Sequence, residues 1–137
     1  MNNNLGRDEL FWRIGNEESM ELLEDIKRLD SIDFSDDMGR TYLHVACSAH
    51  NIEVAKLLLQ KGANPNCTDK NGKLPIMSAI GRINPKNPEL LKVFLEYGLD
   101  LNKNINGMTL KDTIESFEDD KLNDVIDKFC NKMAYFS

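Results

Sequence analysis

Three similar glycine-containing turns recur along this chain at almost constant spacing, and no other feature restricts the fold as strongly. Gly39, Gly72 and Gly107 follow one another at intervals of 33 and 35 residues. Each interval holds a short apolar segment, a polar break, a second amphipathic segment and a closing glycine. One helical hairpin of this size cannot bury its apolar face alone. The repeat therefore predicts helix pairs that stack on one another.

The spacing of apolar residues predicts the second helix of each unit. These residues follow the i, i+3, i+4 pattern of a helix with one buried face. Gly62 and Gly98 stand where the helices should end, because glycine accepts the left-handed conformation of a C-terminal cap. No strand-like alternation persists beyond a few residues. The apolar positions are Ile52, Val54, Leu57 and Leu58 in one unit and Leu90, Leu91, Phe94 and Leu95 in the next.

Composition narrows the class of protein further. The chain has 137 residues, of which 41% are hydrophobic and 29% charged, which favours one globular domain. A net charge of −6 is unfavourable for nucleic-acid binding, and no apolar run is long enough for a membrane span. The N-terminus lacks the pattern of a signal peptide. Three cysteines at unpatterned spacings predict free thiols and a cytoplasmic location.

Two segments resemble the signature of ankyrin repeats. Residues 39–46 are similar to G-x-T-P-L-H-x-A, with Tyr42 in the place of the proline. Residues 54–66 are similar to V-x-x-L-L-L-x-x-G-A-x-x-N. The second unit keeps the proline, as Pro75, but has lost the threonine and the histidine. The resemblance implies an all-α solenoid of stacked helix-turn-helix repeats with N- and C-terminal capping helices.

We expect residues 1–137 to form a single ankyrin-repeat domain. Three extra residues near 83–86 predict a longer loop between the helices of the second repeat, as do Pro85 and Pro88. The predicted parts are an N-terminal cap hairpin (8–35), a repeat (36–68), a repeat with an inter-helix insertion (69–103) and a degenerate C-terminal repeat or cap (104–130).

The resemblance also implies structural roles for the signature residues Thr41, Leu43, His44, Ala46 and Gly62. Thr41 is placed to cap the first helix with its hydroxyl group. In the family, the threonine and histidine of this motif hydrogen-bond locally and stiffen the turn. We therefore expect His44 to be structural, and Ala46 to let paired helices approach closely.

A catalytic or metal-binding site is a competing hypothesis. His44, Cys47 and His50 form an H-x2-C-x2-H cluster on one predicted helix, which could serve as a thiol or metal site. A structural zinc site needs four ligands, and Cys67, on a different loop, is the only candidate for the fourth. The sequence contains no phosphate-binding loop, nucleophile elbow or zinc-protease motif. We therefore predict no metal, no cofactor and no enzymatic activity.

The family places its binding surface on the turn tips and on the exposed face of the first helices, which together line a concave surface. Residues 39–110 carry a net charge of +4, whereas the two ends of the chain are acidic. Trp12 falls beside this surface; a tryptophan in such a place is more often in the core, and an exposed Trp12 would be a candidate anchor for a partner. The predicted partner-binding residues are Asp37, Met38, Arg40, Ser48, Ala49, Thr68, Lys70, Asn71, Lys73, Arg82, Asn104, Asn106 and Met108.

The leading hypothesis for function is a non-enzymatic module that binds another protein through this concave surface. An alternative is a small acidic cytoplasmic immunity or inhibitor protein that neutralises a toxic effector enzyme, because opposite charge accelerates encounter with a basic partner. An enzyme based on the cysteine and histidine cluster ranks below both. We expect neither nucleic acid nor membrane as a partner.

Overall fold

The computed structural model describes residues 3–32 and 34–136. Residue 33, in the predicted N-terminal hairpin, and residues 1, 2 and 137, in the predicted domain, lie outside the described residues. The elements in chain order are α1 (Asn3–Asn16), α2 (Met20–Lys27), α3 (Tyr42–Ser48), α4 (Ile52–Gln60), α5 (Pro75–Ile80), α6 (Asn87–Glu96), β1 (Asn104–Ile105), β2 (Met108–Thr109), α7 (Leu110–Glu115) and α8 (Asp120–Phe136).

The helices form four consecutive pairs whose buried side chains recur with the repeat period. In each pair the first helix, called here the inner helix, buries two apolar residues one helical turn apart. Each pair packs on the next, since α3 contacts α1 and α5, and α6 contacts α4 and α8. The recurring core positions are Leu10, Leu43, Ile76 and Leu110, followed by Ile14, Cys47, Ile80 and Ile114.

Local sequence signals determine where the helices begin and end. Side-chain oxygens of Ser19, Thr41 and Asn51 accept hydrogen bonds from backbone N–H groups of the first turns. At the end of α4, Gly62 has φ +99°, and its N–H donates to the carbonyl of Leu59 at 3.0 Å. This left-handed residue turns the chain out of the helix at a position where a side chain would be strained.

Tyr42 occupies the proline position of the signature and has a packing role of its own. Its ring lies 5.2 Å from that of Phe11 and 5.5 Å from that of Phe34, measured between centroids. The side chain is buried. These three rings join the N-terminal helix pair to the first repeat, which accounts for an aromatic residue at this position.

The insertion in the second repeat forms the connection between α5 and α6, residues 81–86. Within it, the side-chain oxygen of Asn84 accepts from the N–H of Lys86 at 2.8 Å, and the side chain of Asn87 donates to the carbonyl of Arg82 at 2.7 Å. Pro88 was expected in this loop but lies in the first turn of α6. A proline is tolerated there because N–H groups of the first turn have no acceptor within the helix.

The C-terminal unit begins with a two-residue hairpin. Asn104 pairs with Thr109 and Ile105 with Met108 in antiparallel register. Asn106 and Gly107 connect the strands with φ values of 53° and 92°, which is typical of the tight turn that joins such strands. Apart from these short strands and an isolated bridge between Ser35 and Thr41, the described part of the chain is helical or irregular. The predicted all-α solenoid is therefore confirmed.

Candidate protein-binding surface

A groove of about 600 Å³ lies between the first two turn tips and the inner helices α3 and α5. We call it the central groove. Six of the predicted partner-binding residues line it, two from each turn tip and two from the far ends of the inner helices. They are Met38, Arg40, Ser48, Asn71, Lys73 and Arg82.

The two turn tips that form one wall of the groove share the same internal hydrogen bonds. In the first tip, the carboxylate of Asp36 accepts from the N–H groups of Met38 and Arg40 and from the Arg40 guanidinium. Partial burial opposes the charge of Asp36, but the bonds from Arg40 outweigh it and lower the pKa of this carboxyl group. Asp69 repeats the pattern one unit later, accepting from the N–H groups of Asn71 and Lys73.

Adjacent tips are also joined directly by their backbones. The N–H of Lys70 donates to the carbonyl of Met38 at 2.9 Å. Gly39 permits this contact, because a Cβ atom at that position would lie 3.1 Å from the Lys70 nitrogen and its φ is +77°. The wall of the groove is therefore continuous across the two repeats.

His44 forms the base of the groove and links the two repeats. Its Nδ1 accepts from the N–H of Thr41 at 3.1 Å and lies 2.9 Å from the Thr41 hydroxyl oxygen. Its Nε2 donates to the carbonyl of Lys73 at 2.9 Å. This arrangement satisfies a neutral ring at both nitrogens. Burial lowers the pKa of His44, which also favours the neutral form.

His50, the second histidine of the predicted cluster, also links the first two repeats. His50 adopts φ 54°, and its buried Nε2 lies 3.1 Å from the carbonyl oxygen of Ala79 in the next repeat. Cys47 is fully buried between the two histidines in sequence, and burial raises the pKa of its thiol. A thiol held in its protonated form is a weak nucleophile and a poor metal ligand.

No group of three or more histidine, cysteine, aspartate or glutamate side chains within the described residues is arranged to hold a metal ion. The two histidines of the cluster instead bond to separate carbonyl groups on the neighbouring repeat. Both rings therefore point to carbonyl groups of the neighbouring repeat and not to a common metal position.

The cations of the groove differ in how far their charge is neutralised. Arg40 forms an ion pair with Asp36 at 2.7 Å. Arg82 donates from Nη2 to the carbonyl of Ser48 at 2.6 Å and, like Lys73, has no carboxylate partner among the described residues. Among the described residues that line the groove, Asp69 is the only acidic one, and its carboxylate already accepts two backbone bonds. The groove is therefore positively charged in a chain of net charge −6.

The remaining predicted partner-binding residues lie outside the central groove. Asp37, Thr68 and Lys70 are exposed on the turn tips, and Ala49 is half-buried at the C-terminal cap of α3. Exposed residues Asn104, Asn106 and Met108 lie on the β1–β2 hairpin. Of the signature residues, Leu43, His44 and Ala46 are buried, Thr41 is half-buried and Gly62 is exposed.

Sequence reasoning missed several groove residues. Val45, Met77 and Ser78 line its floor, on the side of the inner helices opposite the core positions. The 33-residue period could have indicated Val45 and Ser78, since these two positions correspond in successive repeats. Asp69 was missed because its carboxylate acts inside the turn.

Of the two positions considered for Trp12, the structure shows the exposed one, and the more usual position in the core was wrong. Its side chain is 65% exposed, whereas Leu10 and Ile14 on either side are buried. Two residues along a helix correspond to a rotation of about 200°, so Trp12 faces away from the core that its neighbours enter. It corresponds in the repeat to Val45, which lines the groove floor.

Residues 10–105 match the ankyrin-repeat family, in three copies. The chain is 36% identical over 98 residues, 71% of its length, to the transient receptor potential cation channel subfamily A member 1 of Homo sapiens. It is 32% identical over 105 residues, 72% of its length, to the BCL-6 corepressor-like protein 1 of the same organism. An ankyrin repeat protein of Rickettsia felis is 33% identical over 79 residues, 53% of this chain.

This chain belongs to the ankyrin-repeat family, which confirms the resemblance seen in the sequence. Repeats of this family generally mediate binding between proteins. The matched segment spans 8% and 6% of the two human relatives and 35% of the rickettsial protein. Among the described residues no helix is both long and apolar enough to cross a membrane.

Proposed function

We propose that this chain is a non-enzymatic module that holds another protein in the central groove. The observation that carries the proposal is the position of six predicted surface residues around one groove, whose shape is determined by bonds between two repeats. A standard interface buries about 800 Å² on each partner, so a bound protein would extend from the groove onto the neighbouring turn tips. The other predicted residues on those tips, Lys70 and Asp37 among them, then belong to the rim.

The proposal is tested by charge reversal on the two faces of the stack. The doubly substituted Arg40→Glu, Lys73→Glu chain should lose most of the partner that the unmodified chain retains from an extract of its source cells. Lys56→Glu, Lys92→Glu is a matched control, because it makes the same change of net charge at exposed positions on α4 and α6, the second or outer helices of their pairs. Equal retention by both doubly substituted chains would refute binding in the groove.

An inhibitor or immunity function against a toxic effector enzyme is the second candidate, favoured by the acidic balance of the chain. Residues 1–38 carry a net charge of −7. A basic enzyme would be attracted to this acidic end, and its rate of association should fall steeply between low and high salt. A partner whose association rate is the same at both salt concentrations would eliminate this candidate.

We also propose a reducing, cytoplasmic environment for the chain. The support is that Cys47, Cys67 and Cys130 are all free thiols, which is the usual state of cysteines in a reducing compartment. Mass determination of the endogenous protein under alkylating conditions should find all three cysteines modified after unfolding.

A further inference from the structure

The two cations without carboxylate partners stand at opposite ends of the same inner helix. Lys73 lies two residues before α5, and Arg82 lies two residues after it. They are nine positions apart in sequence, and because only α5 itself is helical, the chain between them spans about 13 to 20 Å. The groove therefore presents one positive group at the turn-tip end and another at the insertion-loop end.

Apolar surface lies between these two charges. Met77, in the middle of α5, and Val45, on α3, line the floor of the groove and are half-buried. Their partial exposure leaves room for one apolar side chain of a ligand. The groove thus alternates between positive, apolar and positive along its length.

Arg82 is held in this position by the fold. Its Nη2 donates to the carbonyl of Ser48 at the end of α3, 34 residues earlier in the chain, at 2.6 Å. The guanidinium group has further N–H donors that this bond does not use. A charge that is already held in place loses little conformational entropy when a carboxylate binds to it.

An extended peptide can follow this alternation, because the exposed Lys73 side chain is long and flexible. Side chains at i, i+2 and i+4 of an extended segment point to the same side, and four residue steps cover about 13 Å. Two carboxylates at i and i+4 would then reach Arg82 and Lys73, while an apolar side chain at i+2 would lie over Met77. Charged hydrogen bonds at both ends would determine the register of the segment.

We propose that the central groove binds an extended acidic segment of a partner protein, with carboxylates four residues apart and an apolar side chain midway between them. This inference rests on the proposed function and names the chemistry of the partner. Arg40 contributes less than Lys73, because its charge is already paired with Asp36.

The test uses the complete chain and a fluorescein-labelled peptide of sequence Gly-Glu-Ser-Leu-Ser-Glu-Gly. Fluorescence anisotropy should show saturable binding, and amide NMR signals of residues 73–82 should shift during the titration. A peptide of the same composition with adjacent glutamates, Gly-Leu-Ser-Ser-Glu-Glu-Gly, should bind at least fivefold more weakly. A peptide with lysine in place of both glutamates should not bind.

Substitutions that remove single charges provide the second part of the test. Lys73→Gln and Arg82→Gln should each weaken binding about tenfold, and Arg40→Gln by less than threefold. Lys56→Gln, on the outer helix α4, is the matched control and should leave affinity unchanged. Circular dichroism of each variant should verify that the helices remain.

Three results would overturn the inference. The first is equal affinity for the two glutamate peptides. The second is a loss of affinity in the Lys56→Gln control equal to that in the groove variants. The third is displacement of the peptide by single-stranded thymidine oligonucleotide at equal phosphate concentration, which would assign the groove to nucleic acid. If the acidic peptide does not bind but groove charge reversal still abolishes retention of the native partner, only this inference fails. If charge reversal also leaves retention unchanged, the proposed function fails with it.

Discussion

The two interfaces on either side of the second repeat are built in different ways. Toward the first repeat, side chains bond to backbone carbonyls across the boundary, among them the buried His44 to Lys73, the buried His50 to Ala79 and the exposed Arg82 to Ser48. Toward the C-terminal unit, no side-chain hydrogen bond crosses the boundary among the described residues. There the outer helices α6 and α8 pack through apolar side chains, including Leu122 and Ile126.

The difference follows from one position in the repeat. His44 lies on α3 of the first repeat and bonds to a carbonyl group of the next repeat. The corresponding residue of the second repeat, 33 residues later, is Met77 on α5. A thioether cannot donate a hydrogen bond to a carbonyl group. The second repeat therefore lacks the side-chain bond by which the first repeat holds its neighbour.

This comparison teaches that directional bonds and apolar burial have separate roles in the stack. Hydrogen bonds have restricted geometry, so those of the first interface hold two inner helices in the register that forms the groove. Apolar contacts are non-directional and stabilise the C-terminal unit without shaping a comparable groove. The experiments below are ordered from the largest expected effect to the smallest.

The largest effect should come from removing apolar burial at the second interface. Ile126 is 1% exposed on α8, so Ile126→Ala should lower the free energy of unfolding by about 2–5 kcal/mol. Because no side-chain hydrogen bond crosses this interface among the described residues, hydrogen exchange should accelerate in α7 and α8 before the first two repeats. Urea unfolding monitored by circular dichroism gives the stability. Uniform acceleration of exchange across all helices would show that the two interfaces open together.

The next largest effect should come from removing His44, which bonds across the first interface. His44→Leu leaves the Lys73 carbonyl and the Thr41 N–H without their partner, which should cost about 1–3 kcal/mol of unfolding free energy. Asp112→Ala is the matched control and should cost no more than about 0.5 kcal/mol, as is usual for an exposed position. Equal losses in the two variants, measured by urea unfolding, would contradict the proposed role of the ring.

The two threonine caps should differ by a smaller amount. Thr109→Ala removes one bond to the N–H of Asp112 and should cost about 1 kcal/mol. Thr41→Ala removes the equivalent bond and also a hydroxyl contact to His44, so it should cost about 2 kcal/mol. Thermal and urea unfolding of both variants measure the difference. A larger loss of unfolding free energy in Thr109→Ala than in Thr41→Ala would contradict the additional role of the Thr41 hydroxyl at the first interface.

The pH dependence of stability should show the smallest effect. The folded pKa of His44 lies below its ordinary value near 6.5, so the unfolded chain binds the proton more readily. The stabilisation from neutral His44 is complete above about pH 6.5 and is lost as the pH falls from there through the lower folded pKa. The contribution of His44 is the difference between the free energies of unfolding of the unmodified chain and of His44→Leu, each measured in urea between pH 5 and 7.5. A difference that is independent of pH would contradict it.

Local sequence features were sufficient to predict much of the fold. The periodic glycines, the cap at Thr41 and the i, i+3, i+4 apolar spacing indicated helix pairs in a repeat, because each acts within a few residues along the chain. The position of Pro88 was not predicted correctly, since a proline can favour either a loop or the first turn of a helix. The prediction of partner-binding residues included the charged walls of the groove but not its apolar floor at Val45 and Met77.

By itself, the sequence determined the length of the repeat, the order of its helices and the positions at which they end. Those properties depend on backbone conformation and on hydrogen bonds between residues close in the chain. Only the tertiary structure decided that Trp12 is exposed, that Arg82 reaches Ser48, and that His44 bonds to a carbonyl 29 residues away. These contacts depend on how far one helix pair rotates against the next. That rotation results from packing between distant residues, which a pattern along one chain does not specify.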